Sequence, residues 1–224
     1  MSLQDRLDAF RAQFESGAPP YNAPRDAIDL MHKATAELVA TGQAERALKA
    51  GDRAPEFALE DPDGAVVSSR ELLARGPLVI SFYRGVWCPY CNLELQALQA
   101  ALPSIQAQGA SLVAISPQTP ANSRKSQRQN SLAFPILSDA GGETGAAFGL
   151  RFTLPDDLIA LYKAFGNDLP LINKDPSWTL PMPARFVIGT DGIIAYAEVN
   201  ADYTQRPDPS ELLPTLERLA NRVA

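Results

Sequence analysis

The chain has few of the residues that staple or metallate a small protein: two cysteines and one histidine in 224 residues. Two thiols cannot build a multi-bridge disulfide framework, so a disulfide-stapled secreted domain is excluded. The same pair could supply half of a zinc site, but with no third cysteine and only His32 the set stays incomplete, and no metal is expected. Long hydrophobic runs are missing as well. No stretch approaches the roughly 20 apolar residues of a membrane span, so no membrane partner is expected. Positive charge is in deficit, with 20 Lys and Arg against 26 Asp and Glu and a net charge of −6. A chain of that sign repels phosphate backbones, which argues against nucleic acid. The short basic stretch Arg124-Lys125-Ser126-Gln127-Arg128 reads as one solvated helix face. The polar opening, Met1 to Arg6, carries both charge signs and is unlike a secretory signal, so a cytoplasmic protein is expected.

What is present is an ordinary globular composition, 46% hydrophobic and 21% charged, long enough for one large domain with an added segment. The two cysteines are three residues apart in Trp87-Cys88-Pro89-Tyr90-Cys91. An apolar run, Leu78 to Tyr83, precedes them, and a stripe of Leu95, Leu98, Leu102 and Ile105 at helical spacing follows. The pattern is a strand, a turn holding two thiols, and a helix. Helix starts expose unpaired N–H groups and the positive end of the dipole, and a thiol placed there ionises more easily. In a reducing compartment, such a pair points to redox chemistry.

Residues 1–47 read as a helical arm. Ser2 with Asp5 resembles a capping start, and Leu7, Phe10 and Phe14 repeat at helical spacing. A second helix is expected from Pro24 through Leu38, with Ile28, Met31, Thr35 and Leu38 on its stripe. These apolar stripes must cover this domain or a partner, and a homodimer is compatible with them. His32 in this arm is read as structural. From Gly51 the pattern changes. Strands are expected over 51–59, 65–67, 78–83, 110–116, 134–137, 185–188 and 193–199, with helices over 70–73, 91–107, 120–130, 144–148 and 209–223. Asp191-Gly192 between apolar runs is a hairpin signal. Residues 150–181 form a long connection with a helix near 158–165, and loops that long are usually functional or partner-facing. The fold class is therefore α/β, a mixed, partly parallel sheet with helices on both faces, carrying the arm 1–47 on a domain 48–224.

Two stretches resemble a known family. Gly51-Asp52-Arg53-Ala54-Pro55-Glu56-Phe57-Ala58-Leu59 is similar to the opening of peroxiredoxins of the alkyl hydroperoxide reductase and thiol-specific antioxidant group. Phe82 through Glu94 resembles their active-site segment, in which an aromatic strand end leads through Pro-x-x-x-Thr-x-x-Cys to a glutamate three residues on. On that resemblance Cys91 falls on the peroxide-attacking cysteine, Cys88 would resolve its sulfenic acid as an intrachain disulfide, and Glu94 falls on the glutamate. A thioredoxin-like fold is implied, together with a peroxide substrate, a thiol reductant such as thioredoxin or glutaredoxin, and no bound cofactor. The departures are Arg84 where the family has proline, Cys88 where it has threonine, and Pro183 where it has a later arginine. The Cys-x-x-Cys and the segment Pro183-Ala184-Arg185-Phe186 resemble thioredoxins instead, in which the first cysteine is the nucleophile. A thiol–disulfide oxidoreductase is thus the alternative activity.

Around the dithiol, Arg84 is positioned to lower a thiol pKa and hold a peroxide oxygen. Trp87 and Tyr90 are expected to pack about the thiols. Pro183 is expected as a cis-proline beside them, presenting backbone to substrate. Glu94 is expected as a helix-face charge that positions the turn. Arg185 is given no role.

Overall fold

The computed structural model describes residues 1–221. Its centre is a seven-stranded sheet in the order β2-β1-β5-β4-β3-β8-β9. The strands are β1 (Ala58–Glu60), β2 (Val66–Ser68), β3 (Leu78–Phe82), β4 (Ser111–Ser116), β5 (Ile136–Ser138), β8 (Ala184–Ile188) and β9 (Ile194–Val199). A separate ribbon pairs β6 (Arg151–Thr153) with β7 (Thr179–Pro181). The β3–β4 and β4–β5 pairs are parallel and the remaining pairs antiparallel. This is the expected mixed sheet, mostly antiparallel in its pairings, with helices on both faces.

The helices are α1 (Leu3–Glu15), α2 (Arg25–Ala40), α3 (Gln43–Arg46), α4 (Ser69–Leu73), α5 (Pro89–Ala107), α6 (Pro120–Asn130), α7 (Glu143–Ala147), α8 (Asp156–Ala164), α9 (Leu169–Asn173) and α10 (Leu213–Ala220). The expected C-terminal helix reached 223; residues 222 and 223 lie outside the described residues. Ser2 and Asp5 close a reciprocal capping box at the start of α1, which satisfies two N–H groups the first turn leaves unpaired.

Strand alternation sets the two cores. On β3, Leu78, Ile80 and Phe82 face one layer with Phe148, Phe186 and Ile188. Val79 faces the other with Leu95, Leu98 and Val187. The same period of two points Arg185 of β8 toward the α5 layer. The arm covers this domain: Leu3 and Leu7 of α1 are fully buried in the cluster that holds Cys88, Cys91 and Leu95.

Two expectations change. The strand expected over 51–59 is confined to Ala58–Glu60. Upstream, Gly51 and Ala54 donate to the carbonyls of Ile194 and Gly192, while Pro55 has no N–H to offer a ladder. The 150–181 connection is folded throughout. Arg151 to Thr153 pairs with Thr179 to Pro181 and closes its base, and α8 begins directly after Pro155. That pairing joins residues nearly thirty apart, so no local pattern announced it.

Candidate active site

The dithiol sits where β3 ends. Gly85 bends the chain with φ +149°, and a Cβ there would stand 2.6 Å from Nε1 of Trp87. Only glycine admits both the bend and the indole. Gln118, after β4, holds this loop from beneath. Its Oε1 accepts the Val86 N–H at 2.8 Å, and its Nε2 donates to the Tyr83 hydroxyl at 2.6 Å. Asn92 on the first turn of α5 donates to the Val86 carbonyl at 2.8 Å. The loop is thus pinned on both sides before the helix starts.

Cys88 is the N-cap residue of α5, with Pro89 in its first turn. Cys91 follows three residues on, in the first turn. Both are free and buried, at 1% and 0% exposure, but their surroundings differ. Cys88 lines a cavity of about 580 Å³; Cys91 is not on its wall. Burial alone would push the Cys88 thiol up. The thiol and main-chain N–H of Cys91, the Arg84 guanidinium and, more distantly, Arg206 pull it down further, to about 6. Cys91 is pushed up by burial and by the adjacent Cys88 sulfur. These influences favour Cys88 as the first thiol to lose its proton. The family resemblance gives the attacking role to Cys91 instead.

Arg84 is buried, and among the described residues it has no carboxylate partner. Its guanidinium carbon lies 4.2 Å from the Tyr203 ring centroid, 4.8 Å from Trp87 and 5.7 Å from Tyr162. It also donates to the Tyr162 hydroxyl. Aromatic faces stabilise a desolvated cation by about 2 kcal/mol, far less than the cost of burying a charge with no counterion. The Arg84 charge is among the influences that draw the Cys88 thiol toward ionisation.

Glu94, expected as a helix-face charge that positions the turn, faces inward. It is 1% exposed and held between two buried arginines, Arg185 Nε at 3.0 Å and Arg206 Nε at 2.7 Å. It positions those cations beneath α5 and does not line the cavity. Pro183 is also corrected: the Met182–Pro183 bond is trans, and the cis peptide among the described residues is Pro19–Pro20. Pro183 still reaches the site, lining a small recess with Arg84, Tyr162 and Tyr203. Trp87 and Tyr90 both line the main cavity, and Trp87 meets Tyr162 edge-on at 5.3 Å. His32 bonds to Glu15 at 2.7 Å and so ties α2 to α1.

Sequence reasoning missed Gln118, Tyr162, Arg185, Tyr203 and Arg206. Tyr162 carried a usable signal, as the position four after Leu158 on the α8 stripe. Gln118 and Arg206 stand in irregular segments and carried none.

A family model described as AhpC/TSA family matches residues 50–197, from before β1 into β9. The chain belongs to the AhpC/TSA family. A Mycobacterium tuberculosis protein named as a peroxiredoxin is 32% identical over 157 residues, covering 70% of this chain and 88% of that one. Peroxiredoxin Q of Oryza sativa subsp. japonica is 27% identical over 169 residues, or 75% of this chain and 67% of that protein. Thiol-disulfide oxidoreductase ResA of Halalkalibacterium halodurans is 31% identical over 110 residues, and the chain spans only 61% of its length. Among solved structures, peroxidoxin BcpB from Mycobacterium tuberculosis superposes with a TM-score of 0.60 at 24% identity, over 77% of this chain and 98% of that one. The shared fold is the peroxiredoxin form of the thioredoxin fold. The chain is a peroxiredoxin-like oxidoreductase of the thiol-dependent peroxidase kind. Helices α1 to α3 lie outside the matched residues.

Proposed function

We propose that this chain reduces peroxides through a two-thiol cycle in which Cys88 attacks and Cys91 resolves. The observation that carries the reading is Cys88 on the wall of the cavity together with Arg84, a buried cation with no carboxylate partner among the described residues, whose charge helps draw the thiol down. The Cys88 thiolate attacks the terminal oxygen of the peroxide. An S–O bond forms as the O–O bond breaks, sulfur is oxidised to a sulfenic acid, and the departing hydroxide or alkoxide takes up a proton and leaves as water or alcohol. Arg84 offers N–H donors and positive charge where that oxygen becomes negative. The Cys91 thiol then condenses with the sulfenic acid, forming the Cys88–Cys91 disulfide and releasing water. A dithiol donor such as thioredoxin or glutaredoxin reduces it by exchange. The cycle uses no metal and no bound organic cofactor. Such donors belong to a reducing cytoplasm, where we place the protein.

Trapping the sulfenic acid with dimedone in the two single-cysteine variants tests the assignment. An adduct after peroxide in Cys91→Ser, which keeps Cys88, is the expected result. An adduct in Cys88→Ser alone reverses the roles. No adduct in either removes the mechanism.

A second reading, thiol–disulfide exchange with another molecule, is favoured by Cys88 at the helix N-cap and by the likeness to ResA. It requires slow oxidation of the reduced protein by peroxide together with rapid reduction of an added disulfide. Stopped-flow measurement with each oxidant separates the two.

A further inference from the structure

The Cys88–Cys91 disulfide of the two-thiol cycle is approached from one side. Cys88 is 1% exposed and lines the cavity; Cys91 is fully buried and does not. A thiolate that reduces a disulfide attacks one of its two sulfurs, and the sulfur it meets from the cavity is that of Cys88. Helices stand around the approach. Phe10 and Phe14 come from α1, Met31 and Val39 from α2, and Phe165 follows α8. Solvent is met at the rim, where Val39 is 47% and Phe165 40% exposed. Cys88 thus lies behind a space of about 580 Å³, of the size that encloses a small organic molecule. A folded donor carries its thiols on its own surface and meets this rim first.

The other charged side chains on the cavity wall are matched within the protein. The Glu15 carboxylate accepts from Arg11 Nε at 2.8 Å and meets His32 Nε2 at 2.7 Å. Asp202 accepts from the Thr204 N–H at 3.0 Å and from its hydroxyl at 2.7 Å. Arg84 is the exception. It is buried, has no carboxylate partner among the described residues, and its Nε–H has no acceptor among them. In the reduced protein its charge draws the Cys88 thiol toward ionisation; in the disulfide neither sulfur can carry charge. Oxidation therefore turns an unneutralised buried cation toward the cavity, and an anionic group bound there relieves it.

We infer that the cavity binds a low-molecular-weight thiol bearing a carboxylate, which carries electrons from the dithiol donor to Cys88. The inference rests on the two-thiol reading of the site and adds a step to its reducing half. The carboxylate meets Arg84, and the thiolate attacks the Cys88 sulfur. A mixed disulfide forms on Cys88 as the Cys88–Cys91 bond breaks, and Cys91 departs as a thiolate that takes up a proton. The small molecule now extends from the recessed sulfur toward the rim. A thiolate of the dithiol donor attacks the small molecule's sulfur, Cys88 leaves as the thiolate, and the donor's second thiol displaces the small thiol. The donor ends as a disulfide, the small thiol is regenerated, and the net reaction is exchange of one disulfide for another.

Diamide forms the Cys88–Cys91 disulfide without peroxide, so the test stands apart from the peroxidase reading. The oxidised protein is reduced with 3-mercaptopropionate, 2-mercaptoethanol and cysteamine, which are alike in size and anionic, neutral and cationic. Each rate is divided by that of the same thiol on bis(2-hydroxyethyl) disulfide, which removes intrinsic nucleophilicity. The normalised rate is expected to be about tenfold or more higher for 3-mercaptopropionate than for cysteamine, the scale of one charge-assisted hydrogen bond. Arg84→Met should abolish that preference. Because this variant could fail to fold, propionate supplies a readout on the parent protein: it has the carboxylate and no thiol, and should compete with 3-mercaptopropionate. With thioredoxin as donor, a catalytic amount of 3-mercaptopropionate should speed reduction by about tenfold or more. Equal normalised rates, or no competition by propionate, overturn the carboxylate site. Thioredoxin acting at one rate with and without the small thiol overturns the carrier step. Failure of peroxide to oxidise the reduced protein is a separate result, and removes the peroxidase reading.

Discussion

Glu94 and Arg206 meet across 2.7 Å at the heart of the domain, both screened from solvent, with Arg185 on the other carboxylate oxygen. One acid thus bonds two buried cations, and removing its charge leaves each with only a backbone carbonyl, of Pro207 or Gln205, as hydrogen-bond acceptor. Breaking a buried pair in this way costs about 3–5 kcal/mol. Glu94→Gln is expected to lower the urea unfolding free energy by that amount. An unchanged midpoint and slope would mean that water already reaches the two guanidinium groups.

Cys88 ionises with a midpoint of about 6, below the usual thiol range. Its reaction with iodoacetamide should therefore rise through pH 6 and level off above about pH 7. Mass spectrometry after brief alkylation should find the label on Cys88 and not on Cys91, whose proton is held more tightly. Label on Cys91 alone at pH 7 would contradict the electrostatic order.

Arg84 lowers the Cys88 pKa through its charge. Arg84→Met keeps much of the bulk and removes that charge, so the thiol midpoint must move up and the thiolate fraction at pH 7 must fall. The variant also loses the donors that meet the leaving oxygen. Peroxide oxidation at pH 7 is expected to slow by about tenfold or more, the scale of losing one transition-state donor. If the rate holds while the midpoint moves, Arg84 acts on the thiol alone.

Glu198, opposite Arg185 in the β8–β9 register, is raised to about 7, by burial above all. Its folded pKa lies above its unfolded value, so between about pH 4.5 and 7 the native state holds the extra proton. Stability contributed by this group is present at low pH and is lost as pH rises through that window. Glu198→Gln should therefore gain thermal stability over the parent at pH 8 and gain little at pH 4.5. A constant offset at both pH values would contradict the shift.

Gly85 combines φ +149° with a neighbour that allows no Cβ. Gly85→Ala is expected to cost about 1–3 kcal/mol, the range for a residue held in a sparsely populated backbone region. It should also alter the near-ultraviolet circular dichroism as Trp87 is displaced. A variant with parental stability and spectrum would show that the loop is looser than its hydrogen bonds to Gln118 and Asn92 suggest.

By itself the sequence determined the strand–dithiol–helix unit, the mixed sheet around it and Arg84 beside the thiols. Each of these is written in local spacing: an apolar run, a pair three apart, a stripe at helical period, a cation four before Cys88. Only the tertiary structure decided that Cys88 and not Cys91 faces the cavity, because that space is walled by Phe10, Tyr162 and Tyr203. Those residues lie tens of residues from the dithiol in sequence and reach it only in the fold. The same is true of Glu94, read from the sequence as a helix-face charge that positions the turn. Its burial follows from Arg185 facing α5 by strand alternation, with Arg206 arriving from the segment after β9. The α2 stripe was visible as apolar, but its role as the wall of an open pocket arose from packing α1, α2 and α8 around a space they do not fill.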